Sequence, residues 1–498
     1  MELQFKRRER PCLEAVVREV RNMELTQEIR LPDGMPDIGH IVCAWGQTVL
    51  RGKEWRTDSI AFSGGMMVWI LYAPDDGSGE RCIDGWIPFQ MRWDLPEGCP
   101  EGTIRIRCLP RFVDARSVSA RKLMVRAGTG AQAEAFVPRN LEFWEPEGNG
   151  KDVELLQTRW PVRVPMEAGE KQFLLDEEPE LSGAAQPESI ISYRMEPRVA
   201  EKKVLGNKLV FRGNGNLHLL CRCSDGRLRG WDVPLPFSQF TELDGEYGTD
   251  AQADLVLSPT NLELELGEAG RLRFKGGVVA QYLVADKQIL TTAEDAYSPE
   301  REVKLQTDNM RIPAILETRQ ENLYGEQSIA ADAEEIADIG FLPEFPRIRQ
   351  GENGIDLELP GQFQVLYYGT DGTLRAGNAR WEGTQRIAAD DSVRLWVTPG
   401  PAEVSRAASG NGQIGLSTQI PMEVTAQADQ QLPMITGLEL GEVRSKDPER
   451  PSLVLRRAGE DRLWDIAKET GSTMEAIRRI NGFSEEPAPD RMLLIPVR

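Results

Sequence analysis

At 498 residues the chain is long enough for three or four domains of about 150 residues each, which argues against a single compact catalytic core. Its 59 Lys+Arg against 79 Asp+Glu leave a net charge of −20, a field that repels phosphate backbones and disfavours nucleic acid and anionic membrane as partners. Hydrophobic residues are 40% and charged residues 28%, ordinary globular usage, so global disorder is excluded.

The opening stretch, Met1 to Arg10, is charged and lacks the apolar run of a signal peptide, and no later run approaches the length of a membrane span. The expectation is an intracellular protein. Seven cysteines, an odd number in a long chain, fit reduced thiols in a cytoplasmic compartment better than a disulfide framework. Only His40 and His218 are present, which leaves little for any mechanism that needs paired histidines or a histidine-rich metal site.

One pattern recurs three times: a glycine, an apolar segment, a turn with Asp-Gly, and a second apolar segment. The copies begin at Gly65 (Gly-Met-Met-Val-Trp-Ile-Leu-Tyr72, turning at Asp76-Gly77), Gly215 (Gly-Asn-Leu-His-Leu-Leu-Cys221, turning at Asp225-Gly226) and Gly361 (Gly-Gln-Phe-Gln-Val-Leu-Tyr-Tyr368, turning at Asp371-Gly372). The leading glycines are 150 and 146 residues apart. Each copy reads as strand, Asp-Gly turn, strand. A tryptophan follows each turn, at Trp86, Trp231 and Trp381. Further alternating stretches at Lys122–Arg126, Arg271–Lys275 and Gln413–Ile420 predict half-buried strands. His218 alternates with Leu217 and Leu219, so it is expected to point out of its sheet.

Between the copies the composition turns polar, at Glu145–Asp152, Ala296–Arg301 and Arg444–Ser452, which read as linkers. After the last of these the character changes. Leu453-Val-Leu455 predicts a strand, and Leu463, Ile466 and Ala467 recur at helical spacing up to a Gly471 cap. Ser472-Thr-Met-Glu475 reads as a capping box opening a second helix, which carries Ile477 and Ile480 and closes at Asn481-Gly482. Met492 to Pro496 predicts a returning strand.

No phosphate loop, nucleophile elbow, zinc-protease pair or ordered series of Cys-x-x-Cys pairs is present, so neither catalytic residue, metal site nor cofactor is expected. Cys221-Arg-Cys223 places two thiols on one face of a strand and reads as packing rather than as a metal site. Acidic clusters such as Asp176–Glu180 and Glu334-Glu335 read as solvated faces.

The run Asp461-Arg-Leu-Trp-Asp-Ile-Ala467, with Asn481-Gly482 and Leu494-Ile-Pro496, resembles the LysM module. That resemblance implies a shallow groove for N-acetylglucosamine chains between Glu460-Asp461-Arg462 and Asn481-Gly482-Phe483, with Leu463 and Trp464 beside it. Glu460 stands where the family pattern has Gly and Arg462 where it has Thr, and this charged pair directs the groove towards a protein partner. Leu25 to Gly39 (Leu-Thr-Gln-Glu-Ile-Arg-Leu-Pro-Asp-Gly-Met-Pro-Asp-Ile-Gly), with Ala44–Gln47 and Arg51–Trp55, resembles the SPOCS family of sporulation proteins. Tandem units of that kind followed by LysM are similar to the SipL-like family of clostridial spore-coat morphogenetic proteins. The resemblance implies an adaptor in the mother-cell cytoplasm that joins the coat to the forespore surface, its LysM module binding the coat-basement ATPase, stage IV sporulation protein A.

The sequence thus predicts a mainly β protein. It would comprise antiparallel, sandwich-like domains at 1–147, 153–298 and 302–441, a linker at 442–452, and a βααβ module at 453–498. The leading expectation is a non-enzymatic scaffold. The alternatives are a binder of wall or cortex glycan and an enzyme using a carboxylate pair assembled across domains.

Overall fold

A computed structural model describes residues 3–148, 152–179, 181, 187–267, 271–351, 354–408, 412–444, 451–484, 486 and 491–497. The protein is mainly β, 79% strand and 3% helix, in several antiparallel sheets. Of the expected linker 442–452, residues 445–450 lie outside the described residues, as do 149–151 of Glu145–Asp152.

The first six strands are β1 (Gln4–Arg30), β2 (Ile38–Trp55), β3 (Ser59–Pro74), β4 (Arg81–Asp94), β5 (Thr103–Ser119) and β6 (Lys122–Glu147). They form two sheets, ordered β1-β6-β5 and β2-β3-β4. Next come β7 (Glu154–Glu177), β8 (Pro187–Cys223), β9 (Leu228–Tyr247), β10 (Gln252–Leu266) and β11 (Leu272–Tyr297). Here the sheets are β10-β11-β7 and β8-β9. Within β8, Gly206 adopts φ +61 and Arg198 lies against Gly213, so this long strand doubles back and takes the place of both β2 and β3.

The third set is β12 (Arg301–Ala330), β13 (Ala333–Pro343), β14 (Arg347–Gly351), β15 (Gly354–Gly369), β16 (Leu374–Ile387), β17 (Val393–Pro399), β18 (Glu403–Ala407) and β19 (Gln413–Val443). One sheet runs β12-β19-β17 with β18 on β19, and the other runs β13-β15-β14 with β16 on β15. In all three sets the first strand pairs with the last along nearly its full length, from Gln4↔Glu147, Glu154↔Tyr297 and Arg301↔Val443 inward.

The repeated hairpins form as their chemistry requires. Gly77, Gly226 and Gly372 adopt φ of +68, +79 and +75, a region that costs a residue with a Cβ. The aspartate before each glycine accepts a hydrogen bond from the backbone N–H two residues on: Asp76 from Ser78 (2.9 Å), Asp225 from Arg227 (3.0 Å) and Asp371 from Thr373 (3.0 Å). These Asx turns fix each hairpin locally. The leading Gly65 makes room for the next strand, since a Cβ there would lie 2.0 Å from the Trp86 ring.

Each set has a core of its own, and the three meet in two shared clusters. Cys12 and Phe143, Val162 and Leu290, and Ile312 and Leu432 pack in one cluster, so the outermost strand pairs of all three meet. Leu71, Leu220 and Leu366 join a second cluster, contributed by the inner hairpins. Buried glutamine amides stitch the seams, each reading the backbone of another set. Gln281 accepts from the Ile106 N–H (2.9 Å) and donates to its C=O (2.8 Å). Gln47 makes the same two-way contact with Met195, and Gln132 donates to the Val397 C=O and accepts from the Thr398 hydroxyl. A buried amide that pairs both ends with a strand's backbone leaves no polar group unsatisfied.

A charged seam runs beside them. The Arg105 guanidinium, 1% exposed, donates to Asp254 at 2.5 Å and lies 3.3 Å from Glu134, which also accepts from Arg18. Lys202 donates to Glu423 at 2.5 Å. Burial, reinforced by neighbouring Asp254, raises the Glu423 pKa. Burial alone would also raise that of Asp254, but Arg105 and Lys202 outweigh it and keep Asp254 ionised.

Two expectations need correcting. His218 does not point into solvent: β13 covers that face of β8, and the ring is buried between carboxylates. Ala296–Arg301 is linker-like in composition only, since Ala296, Tyr297 and Ser298 are all buried.

Candidate functional site

The last elements are β20 (Leu453–Arg457), α1 (Leu463–Thr470), α2 (Met474–Asn481) and β21 (Met492–Pro496), with β20 and β21 antiparallel. Leu463, Trp464, Ile466 and Ala467 occupy the inward stripe of α1 and pack with Ile477, Leu493 and Ile495. Gly471 and Gly482 end the two helices in left-handed conformation, φ +63 and +66.

The start of α2 lies one residue later than a capping box at Ser472 would set it. Thr473 is the cap, its hydroxyl accepting from the Ala476 N–H at 3.1 Å, while the Ser472 hydroxyl donates to the Pro496 C=O. At α1 the N-cap is Arg462, which makes no capping hydrogen bond. The Glu486 carboxylate does that work from another loop, accepting from the Leu463 N–H at 2.9 Å. Gly459, at φ +63, supplies the left-handed turn one residue ahead of Glu460.

The eight candidate residues separate into three roles. Leu463 and Trp464 face inward, 0% and 2% exposed. Asn481 and Gly482 serve the local fold: the Asn481 amide donates to the Leu494 C=O (2.6 Å) and accepts from the Leu494 N–H (2.8 Å), binding the end of α2 to β21. Glu460, Asp461, Arg462 and Phe483 reach solvent, Phe483 only in part. Arg456 gathers Asp461 and Glu469, each at 2.5 Å, and Arg462 pairs with Asp465 at 3.1 Å. The Arg491 guanidinium sits 4.8 Å from the Phe483 ring centre. The result is a charged rim around one half-buried ring.

Sequence reasoning missed how this segment is seated. The Trp464 indole N–H donates to Asp295 at 2.9 Å, the Lys468 ammonium binds the same carboxylate at 2.6 Å, and the Trp464 ring stands edge-on to Tyr297 at 4.9 Å. The Tyr297 hydroxyl donates to the Ser472 C=O. Burial works against ionisation of Asp295, but Lys468 and the indole outweigh it and hold its pKa below the usual range. Nothing in Glu294-Asp-Ala-Tyr297 itself points to residues 463–472, so no local sequence signal marks this contact.

A second cluster lies between β8, β9 and β13, at the edge of a cleft of about 530 Å³. His218 Nδ1 is 2.7 Å from Asp232 and Nε2 is 3.1 Å from Asp338. Burial and Arg194 act to lower its pKa, yet the two aspartates outweigh them and raise it above the ordinary value. With a carboxylate on each ring nitrogen, His218 acts as a clasp across the seam between the second and third sets. Cys221 and Cys223 are buried free thiols, and burial pushes Cys221 up to about 12. Among the described residues no helix is long and apolar enough to cross a membrane. No family model, curated protein or solved structure matches the chain.

Proposed function

We propose that the chain is a non-enzymatic scaffold of the spore coat, acting in the mother-cell cytoplasm at the forespore surface. In this reading the three β units are SPOCS-like and supply a rigid body. The C-terminal βααβ segment is a LysM-type module that docks on the coat-basement ATPase, stage IV sporulation protein A.

The observation that carries this reading is the state of the groove rim. A glycan-binding loop presents backbone groups and small polar side chains to sugar hydroxyls, whereas here Asp461, Arg462 and Arg456 are engaged in ion pairs around the entrance. A neutral sugar would have to break those pairs without restoring the charge contacts, while a protein surface can exchange them for its own charged groups.

The test uses the full chain, because Trp464 rests on Asp295 and Tyr297 outside the segment. Purified protein is titrated with the ATPase and, separately, sedimented with purified peptidoglycan. The expected result is saturable binding to the ATPase, weakened by Asp461→Lys with Arg462→Glu, and no sedimentation. Peptidoglycan binding without ATPase binding overturns the reading in favour of a wall or cortex glycan.

A further inference from the structure

We propose that β20 is a docking edge that receives an extended strand of a protein partner, one with apolar side chains alternating along it and a carboxylate near one end. The proposal deepens the reading of this segment as a protein-docking module and rests on it.

The backbone pattern identifies the edge. The Val497 N–H donates to the Ser452 C=O and the Ala458 N–H to the Arg491 C=O, so 452, 454, 456 and 458 are the residues whose peptide groups face β21. The alternate residues, Leu453, Leu455 and Arg457, therefore turn their N–H and C=O groups away from it. On β21 the corresponding outward groups, those of Leu494, are taken by the Asn481 amide, which mimics a neighbouring strand. Asn481 thus closes part of the β21 edge of this two-stranded sheet, and among the described residues no hydrogen bond takes the outward groups of β20. Long or apolar open edges are ordinarily blunted in proteins by charge, proline or a covering loop, and main-chain pairing with an added strand is a recurring mode of recognition.

The side chains agree with the backbone. Helices α1 and α2 cover one face of the sheet; on the other, Leu453, Leu455, Met492 and Leu494 are 42–62% exposed. Arg457 stands at the end of this stripe, exposed and without a carboxylate in ion-pair reach among the described residues. Across residues 453–498 eight basic side chains balance eight acidic ones, on a chain whose net charge is −20. An acidic partner is therefore less repelled here than elsewhere on the molecule. A second copy fits less well. Antiparallel pairing of two β20 strands about Leu455 would set Arg457 opposite Leu453 of the other copy, leaving both arginines without a carboxylate, and would bring two strongly acidic chains together.

The experiment measures binding of the full chain to the purified ATPase for wild type, Leu455→Pro and Arg457→Glu. Proline at 455 removes an outward N–H and leaves the bonds to β21 in place. Binding should weaken about tenfold or more with Leu455→Pro and several-fold with Arg457→Glu, the latter more at low salt. Hydrogen exchange on the wild type gives an independent readout: the Leu455 and Arg457 amides, open in the free protein, should become protected in the complex, while Arg456 is protected in both. If the wild type binds and neither the variants nor these amides respond, the edge proposal is overturned while the docking reading stands. No wild-type binding removes both. Protection that rises with protein concentration in the absence of the ATPase identifies a second copy as the occupant and also overturns the proposal.

Discussion

The β body and the C-terminal segment hold their contacts together by opposite means. In the body, seams between units are sealed by largely buried amides and charges, such as Gln281 on Ile106 and Arg105 between Glu134 and Asp254. The segment touches the body in a small patch around Tyr297, Leu156 and the Asp295 carboxylate, and among the described residues leaves a strand edge and an apolar face open. A buried polar seam is intolerant of change but specifies one arrangement, which suits a frame. A small contact around Trp464 costs little to rearrange, which suits a part that meets other molecules.

This contrast can be broken most severely at Arg105. Arg105→Met leaves Asp254 without its guanidinium and Glu134 with Arg18 alone, and should cost about 3 kcal/mol in denaturant unfolding of the full chain. A loss below about 1 kcal/mol would show that water enters the seam and that the frame is not sealed.

A smaller effect is expected from His218, whose raised pKa links the second and third units to pH. A histidine raised in the folded state contributes stability that is complete below its unfolded pKa and is lost as pH rises through the folded value. Wild-type stability should therefore fall with increasing pH in that range, and His218→Asn should flatten the profile there while changing it little at higher pH. The same slope in both proteins would place the titrating group elsewhere.

The smallest effect belongs to the segment's anchor. Lys468 and Asp295 are both partly exposed, so Lys468→Ala should cost only about 0.2–1 kcal/mol and lose even that at high salt. Measured by exchange of the α1 amides, a loss as large as that at Arg105 would mean that the segment is as firmly built in as the seams.

What could be read from sequence followed from how local the cause is. The Asp-Gly turns at 77, 226 and 372 are fixed by a glycine and its neighbours, and all three form. The pairing of β1 with β6 joins Gln4 to Glu147, and nothing near either residue encodes the other. Arg105 lies between Ile104 and Ile106 and by alternation alone would face water, whereas the next unit covers it. The same cause misdirects His218. At the candidate site the helices and their glycine caps were legible because their signals are short-range. The cap at Thr473 was not, since Ser472 is drawn away by the Pro496 carbonyl twenty-four residues on. Tyr297 and Asp295 were hidden because their role exists only once residues 463–472 have folded against them.

The pairing of first strand with last also sets an order of events on the ribosome. No unit can complete its outer sheet until its final strand has emerged, at Glu147, Tyr297 and Val443 in turn, so the nascent chain carries an unpaired strand of 24 to 30 residues through most of each unit's synthesis. The charged start of β1, Lys6-Arg-Arg-Glu-Arg10, is the kind of sequence that keeps such a waiting strand from pairing with the wrong neighbour.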